Sequence, residues 1–206
     1  MLMDNTIYTI GYAGFSRDAF IEELKKYSIS VLIDVRSSPF SSFHQEYNRD
    51  LLEPALNNNK IYYRNYAKEF GARQDDVKLY SSDGYLDFEK VAKSDNFQNG
   101  LLKLRNSMKQ GYVPALMCAE KNPFDCHRAI LVSRAFYECG CNVIHILPGN
   151  KICSQDDLNK ALLEKYFPGR DQISMFGNSE EDDLIKEAYK KRNSEIGYRI
   201  MENNEV

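Results

Sequence analysis

The chain has 206 residues, 43% of them apolar and 28% charged, which fits an ordinary soluble globular protein with enough length to bury a real core. A net charge of −3 argues against general electrostatic binding to nucleic acid, leaving room only for a local basic groove, and five cysteines, an odd number, do not suggest a secreted disulfide framework. No stretch approaches a membrane span, and residues 1–10 lack a basic start followed by an apolar signal core, so the expected location is the cytoplasm, with no membrane partner.

The first element is a short buried strand, "TIYTIG" (6–11), ending in Gly11. Ser16 is suited to cap a helix over 17–27, where Phe20, Ile21, Leu24 and Tyr27 recur at helical spacing. "SVLIDVR" (30–36) is a near-continuous apolar run of the kind found in parallel strands covered on both faces. Asn48 is placed to cap a second helix that fades into "NNNK", and the alternation of "IYYRNY" (61–66) predicts a third strand.

Residues 67–95, with "FGARQDD" and "SSDGYLD", are polar and turn-rich and read as a surface excursion or a lid. A helix over 96–109 follows, stopped by Gly111; then a strand over 112–118, an amphipathic helix over 127–139 ended by Gly140, and a strand over 142–147. Beyond Gly149 the pattern predicts a helix over 155–166, a linker and a charged helix over 179–192, with the last thirty residues peripheral. The alternation of strands and helices implies an α/β fold. Its sheet is mostly parallel with helices on both faces, a three-layer domain over 1–150 carrying a helical C-terminal extension over 151–206.

In such sheets ligands bind outside the carboxyl ends of the strands. Gly11 and Tyr12, Asp34 and Arg36, and Cys118 all fall at that edge. In "LMCAEKNPFDCHRA" (116–129), a strand delivers Cys118, and a helix opens at Cys126, His127 and Arg128. A thiol near a helix N-terminus and an arginine gains thiolate character. Strand, cysteine, loop and an arginine on the next helix form the layout of rhodanese-like sulfurtransferases and cysteine phosphatases, although nine residues separate Cys118 from Arg128 where those families have about five. The catalytic candidates are Cys118 as nucleophile, His127 or Glu120 as acid or base, Cys126 as resolving thiol and Arg128 as anion holder. Arg36, oriented by Asp34, is the second candidate for holding an anion; an ion pair anchoring the sheet edge accounts for the same two residues.

Two other readings of the stretch stand beside this one. Cys118, Cys126, His127 and His44 offer two sulfurs and two nitrogens for zinc, but structural zinc cysteines are usually two to four residues apart, so no metal is assigned. A Cys118–Cys126 disulfide would make a redox switch.

Taken together, "TIGYAG", "LIDVRSSPFS", "EFGAR" and "LMCAEKNPFDCHRAIL", in this order over residues 6–148, resemble the family of domain of unknown function 488. The resemblance implies an α/β fold and an enzymatic site at Tyr12, Asp34, Arg36, Glu69, Arg73, Cys118, Glu120, Cys126, His127 and Arg128, without supplying a reaction or a cofactor. The functional expectation is a thiol-dependent transferase or hydrolase acting on a small anionic ligand. A non-catalytic nucleotide- or nucleic-acid-associated module and a metal-binding protein are the alternatives. "DQISMF" (171–176) is similar to a sliding-clamp docking peptide, with Gln172, Met175 and Phe176 as its anchors, and would recruit a nucleic-acid-processing partner.

Overall fold

A computed structural model describes residues 5–169 and 178–200. Six strands form one sheet: β1 (Thr6–Gly11), β2 (Val31–Asp34), β3 (Tyr62–Asn65), β4 (Pro114–Cys118), β5 (Asn142–Leu147) and β6 (Lys151–Ser154), in the order β3-β2-β4-β1-β5-β6. The first five strands are mutually parallel, and β6 returns antiparallel beside β5. The helices are α1 (Arg17–Lys26), α2 (Arg49–Asn58), α3 (Ala67–Phe70), α4 (Phe88–Lys93), α5 (Asp95–Lys109), α6 (Arg134–Glu138), α7 (Gln155–Tyr166) and α8 (Asn178–Ile196). Among the described residues no helix is long and apolar enough to cross a membrane.

The strand period of two sorts the core into two layers. Ile10, Leu32, Ala115, Met117 and Ile146 pack on one face against Phe20, Ile21 and Leu24 of α1 and Leu52 and Leu56 of α2. Ile7, Val31, Ile33, Leu116 and Val143 pack on the other against Phe97, Leu101 and Leu104 of α5 and against the helix that follows Cys126. The α/β fold with helices on both faces is thus present. Local signals act as expected at several points: the Ser16 hydroxyl caps the Ala19 N–H, and Gly111 stops α5 at φ +90°.

Several expectations are corrected. Residues 67–95 are not an irregular lid; α3 and α4 are short helices whose Phe70, Phe88 and Val91 enter the core, a pattern too brief for periodicity to reveal. The Asn48 side chain does not cap α2 but accepts from the Ser41 N–H at 2.6 Å, tying down the 37–47 loop. Residues 151–154, to which the sequence pattern assigns no element, form β6. The helix after Cys126 begins with a π-helical segment, Arg128–Ser133, before α6, and the Ser133 hydroxyl donates to the Arg128 carbonyl at 2.7 Å.

The C-terminal residues are also less peripheral than composition suggests. Ala188 and Tyr189 of α8 are in the main core. Arg192 donates to the Phe124 carbonyl at 2.9 Å, pairs with Asp125 and covers the Phe124 ring. A wide spacing of apolar residues on a charged helix hides this contact. "DQISMF" (171–176) lies outside the described residues.

A buried polar chain crosses from β1 to α8. Thr9 Oγ1 lies 2.8 Å from His145 Nδ1, His145 Nε2 lies 3.1 Å from Gln155 Oε1, Gln155 donates to the Tyr189 hydroxyl at 2.7 Å, and Tyr189 donates to Asn159 Oδ1 at 2.5 Å. Every donor finds an acceptor if Nε2 carries the His145 proton. Burial, followed by the nearby Arg128 charge, lowers the His145 pKa to about 3.

Two outcomes follow from these placements. Gly11 sits opposite Cys118 in register, and a Cβ there would lie 1.8 Å from the Glu120 carbonyl oxygen. A Gly11→Ala chain therefore loses stability by about 2–4 kcal/mol in urea unfolding, because backbone rather than a flexible side chain must shift. An effect below 0.5 kcal/mol, by contrast, would mean the loop yields freely. His145, neutral in the fold, takes up a proton on unfolding below its ordinary pKa of about 6.5. Stability is then fully present above pH 6.5 and falls as pH drops towards 3, by at most about 1.4 kcal/mol per unit. A His145→Asn chain should lack this part of the slope between pH 6 and 4, and an unchanged slope would assign the acid sensitivity to other groups.

Candidate functional site

Cys118 closes β4 on the face that carries α5 and α6. The chain then leaves the sheet, turns through a short 3-10 segment at Pro123–Asp125, and returns so that Cys126 faces Cys118. The turn has local causes: Asn122 caps the Phe124 N–H and donates to Asp125. What holds the return is Arg128, completely buried, whose guanidinium donates to the Glu120 carbonyl at 2.6 Å, the Lys121 carbonyl at 3.4 Å and the Thr9 hydroxyl at 3.4 Å. A seven-residue loop is thereby folded back to a two-ended contact.

Four side chains converge there. One ligand-capable atom each from Cys118, Glu120, Cys126 and His127 lies within 4.8 Å of all the others. His127 Nδ1 stands 3.7 Å from Cys118 Sγ and 4.0 Å from Cys126 Sγ, and Glu120 Oε2 is 2.9 Å from Cys126 Sγ. The other ring nitrogen of His127, Nε2, is 3.0 Å from the Val35 carbonyl at the end of β2. A carbonyl only accepts, so Nε2 carries a proton and Nδ1 is the atom turned to the sulfurs. Cys118, Cys126 and His127 are 3%, 1% and 7% exposed as residues, whereas Glu120 is exposed with its carboxylate turned inwards onto Cys126.

Electrostatics divides the two thiols. The hydrogen bond to Cys126, burial and the neighbouring Cys126 and Glu120 charges raise the Cys118 pKa well above the ordinary thiol value. Burial opposes ionisation of Cys126, but the Cys118 hydrogen bond, the Arg128 charge and His127 outweigh it and lower that thiol well below its usual range. Of the pair, Cys126 is the more easily ionised, and its sulfur also accepts the Arg128 backbone N–H at 3.4 Å. His127 is raised: burial opposes its charge, and the Cys126 hydrogen bond and charge prevail. Glu120 is raised by burial and by the Cys126 charge. Sequence reasoning gave the thiolate to Cys118; the opposite directions of the two shifts, separated first by the hydrogen bond between the thiols, favour Cys126.

The remaining candidates lie elsewhere. Asp34 and Arg36 point to the opposite face, where Asp34 Oδ1 and Oδ2 accept from Arg36 at 2.9 and 2.6 Å and the Tyr63 hydroxyl donates to Asp34 at 2.6 Å. Arg36 also donates to the Tyr47 carbonyl at 3.0 Å and lies over the Tyr12 ring, so it ties the 37–47 loop to the sheet. Its pKa is raised, since the Asp34 hydrogen bond and charge exceed the cost of burial. Tyr12 stacks on Tyr47. His44, the nitrogen considered for zinc, packs edge-on to Tyr12 beside Glu46 and is not among the converging atoms. Glu69 accepts from Lys103 at 3.2 Å, and the Arg73 guanidinium covers Tyr198 while its N–H donates to Ser37 Oγ. Of the other cysteines, Cys139 is exposed, Cys141 buried and Cys153 half-buried; all five are free thiols.

From sequence the donor weighed beside Cys118, Cys126 and His127 was His44, and Glu120 converges in its place. Glu120 appeared there as an acid or base, and only the closure of the loop turns its carboxylate onto Cys126. The i to i+2 spacing of Cys118 and Glu120, which puts both on one side of an extended segment, was the available signal.

No curated protein and no solved structure matches the chain significantly. One family model does, described as a domain of unknown function, DUF488, over residues 16–135. That span begins after "TIGYAG" and ends before β5, but it contains both β2 and the whole Cys118–Arg128 stretch. With more than half of its length covered, the chain belongs to the DUF488 family.

Proposed function

We propose that this protein carries a divalent transition-metal centre, zinc by its ligand chemistry, held by Cys118, Cys126 and His127 with Glu120 in the fourth position. The centre would serve an enzymatic reaction on a small anionic molecule. The observation that carries this reading is the convergence of four donor atoms within 4.8 Å around a histidine whose far nitrogen is already fixed by a backbone carbonyl. Metal-bound histidines are oriented in that way, with the remote N–H on a carbonyl or carboxylate.

Size and charge agree with it. Around a tetrahedral zinc, with bonds of about 2.3 Å to sulfur and about 2.0–2.1 Å to nitrogen, sulfur and nitrogen stand about 3.5–3.6 Å apart. The 3.7 and 4.0 Å separations at His127 need only a small contraction, while the 2.9 Å between Cys126 Sγ and Glu120 Oε2 must open by about 0.6 Å, which the exposed Glu120 side chain can provide. Two thiolates and a carboxylate carry three negative charges; a divalent cation and Arg128 together carry three positive ones. A set of two sulfurs, one imidazole and one carboxylate suits zinc better than magnesium or calcium, which prefer oxygen. When bound, the cation would supply a Lewis acid at the carboxyl edge of the sheet. The chain's own part is to orient His127 through Val35, to neutralise charge through Arg128 and to keep water from the sulfurs.

The second reading is a thiol enzyme in the rhodanese-like or phosphatase-like manner. The Arg128 N–H on Cys126 Sγ favours it, with Cys126 as nucleophile and Cys118 as the resolving thiol. The burial of both sulfurs weighs against it, because a nucleophile must meet its substrate.

Elemental analysis of the full chain purified without added metal separates the two. The metal reading predicts close to one equivalent of zinc, its loss in Cys118→Ser, Cys126→Ser and His127→Ala chains that retain the wild-type circular dichroism, and its retention in Cys139→Ser. Protein that stays metal-free even after incubation with zinc, and in which Cys126 alone alkylates rapidly, overturns it in favour of the thiol reading.

A further inference from the structure

Within the proposed metal centre, on which this inference rests, the four ligands are not equivalent. Cys118, Cys126 and His127 are buried and project from β4 and from the start of the helix that carries the π-helical segment. Glu120 alone is exposed. Its backbone is fixed, because Arg128 holds its carbonyl and that of Lys121, so only the side chain is left to swing.

A turn of small residues and one lysine run beside Glu120. The Ala13 N–H donates to the Ala119 carbonyl at 3.0 Å, which lays the Ala13–Gly14 turn beside the 119–121 segment. Gly14, at φ +98°, lies against the Lys121 methylenes. Lys121, itself exposed, sets a cation next to Glu120 on the same segment.

We propose that Glu120 is an exchangeable ligand: it occupies the fourth position at rest and yields it to an oxyanion of a small substrate, a carboxylate or phosphate oxygen, guided by Lys121. Three protein ligands with one replaceable position characterise catalytic rather than structural zinc sites. The exchange breaks the bond from the metal to Glu120 and forms one to the incoming oxygen. The total charge at the metal is kept when a monoanion enters, and the released carboxylate stays within reach to accept or donate a proton.

The test uses the full chain loaded with Co²⁺, whose visible absorption reports its coordination, titrated with inorganic phosphate and with acetate. The wild-type spectrum should change saturably with at least one of the two, and which one responds tells the two oxyanion chemistries apart. A Glu120→Ala chain should still bind one Co²⁺, with affinity reduced by no more than about a hundredfold. It should also bind the same anion several-fold more tightly, since the competing carboxylate is gone, and Lys121→Ala should weaken that binding several-fold. A wild-type spectrum indifferent to both anions, together with loss of cobalt from Glu120→Ala as complete as from Cys126→Ser, overturns the inference and leaves a closed structural site. Failure of the wild-type chain to bind Co²⁺ at all overturns the metal centre itself, and the exchange with it.

Discussion

The Arg128 clamp is the interaction on which the rest of the site depends. A buried guanidinium that pairs with no carboxylate among the described residues is costly, and the cost is offset in two ways. Its N–H groups are spent on the Glu120 and Lys121 carbonyls and on Thr9, and its charge faces the thiolate character of Cys126. The first of these closes the loop between Cys118 and Cys126; the second keeps a negative charge stable inside it. Gly11 belongs to the same device, because only a residue without a Cβ lets the Glu120 carbonyl approach β1 closely enough for Arg128 to reach it.

Around the clamp the fold is braced from several directions. Val35, at the carboxyl end of β2, fixes the His127 ring, so the sheet itself sets which nitrogen faces the sulfurs. Thr9 joins Arg128 to the polar chain through His145 and Gln155, which ends at Tyr189 and Asn159. On the outer side Arg192 of α8 holds Phe124 and Asp125 of the loop. The C-terminal helix thus supports the site from two sides, through Tyr189 in the core and Arg192 on the loop. The Asp34–Arg36 pair does parallel work on the opposite face, where it anchors the 37–47 loop to the sheet edge.

Much of the architecture was legible from pattern. "TIYTIG", "VLID" and "PALMC" are apolar runs that can only be buried parallel strands, and their carboxyl ends mark the edge where Cys118 lies. The convergence was legible only in part. C-x7-C followed by histidine looks unsuited to a metal because the spacing says nothing of a loop folded back by the arginine that follows, and Arg128 itself resembles an anion holder until its carbonyl partners are seen. Asp34 and Arg36 shared a strand end with the site in sequence, yet strand alternation puts them on the far face from Cys118, a distinction that needed the register of β2 against β4. The π-helical segment and the role of α8 rest on tertiary contacts and left no periodic trace.

The central claim is that Arg128 closes the loop so that Cys118, Cys126, His127 and Glu120 surround one cation. X-ray absorption at the zinc edge of the purified full chain tests it most directly. The account predicts a shell of two sulfur atoms at about 2.3 Å and two nitrogen or oxygen atoms at about 2.0–2.2 Å. Zinc in an all-oxygen or all-nitrogen shell, or no zinc to measure, would contradict it.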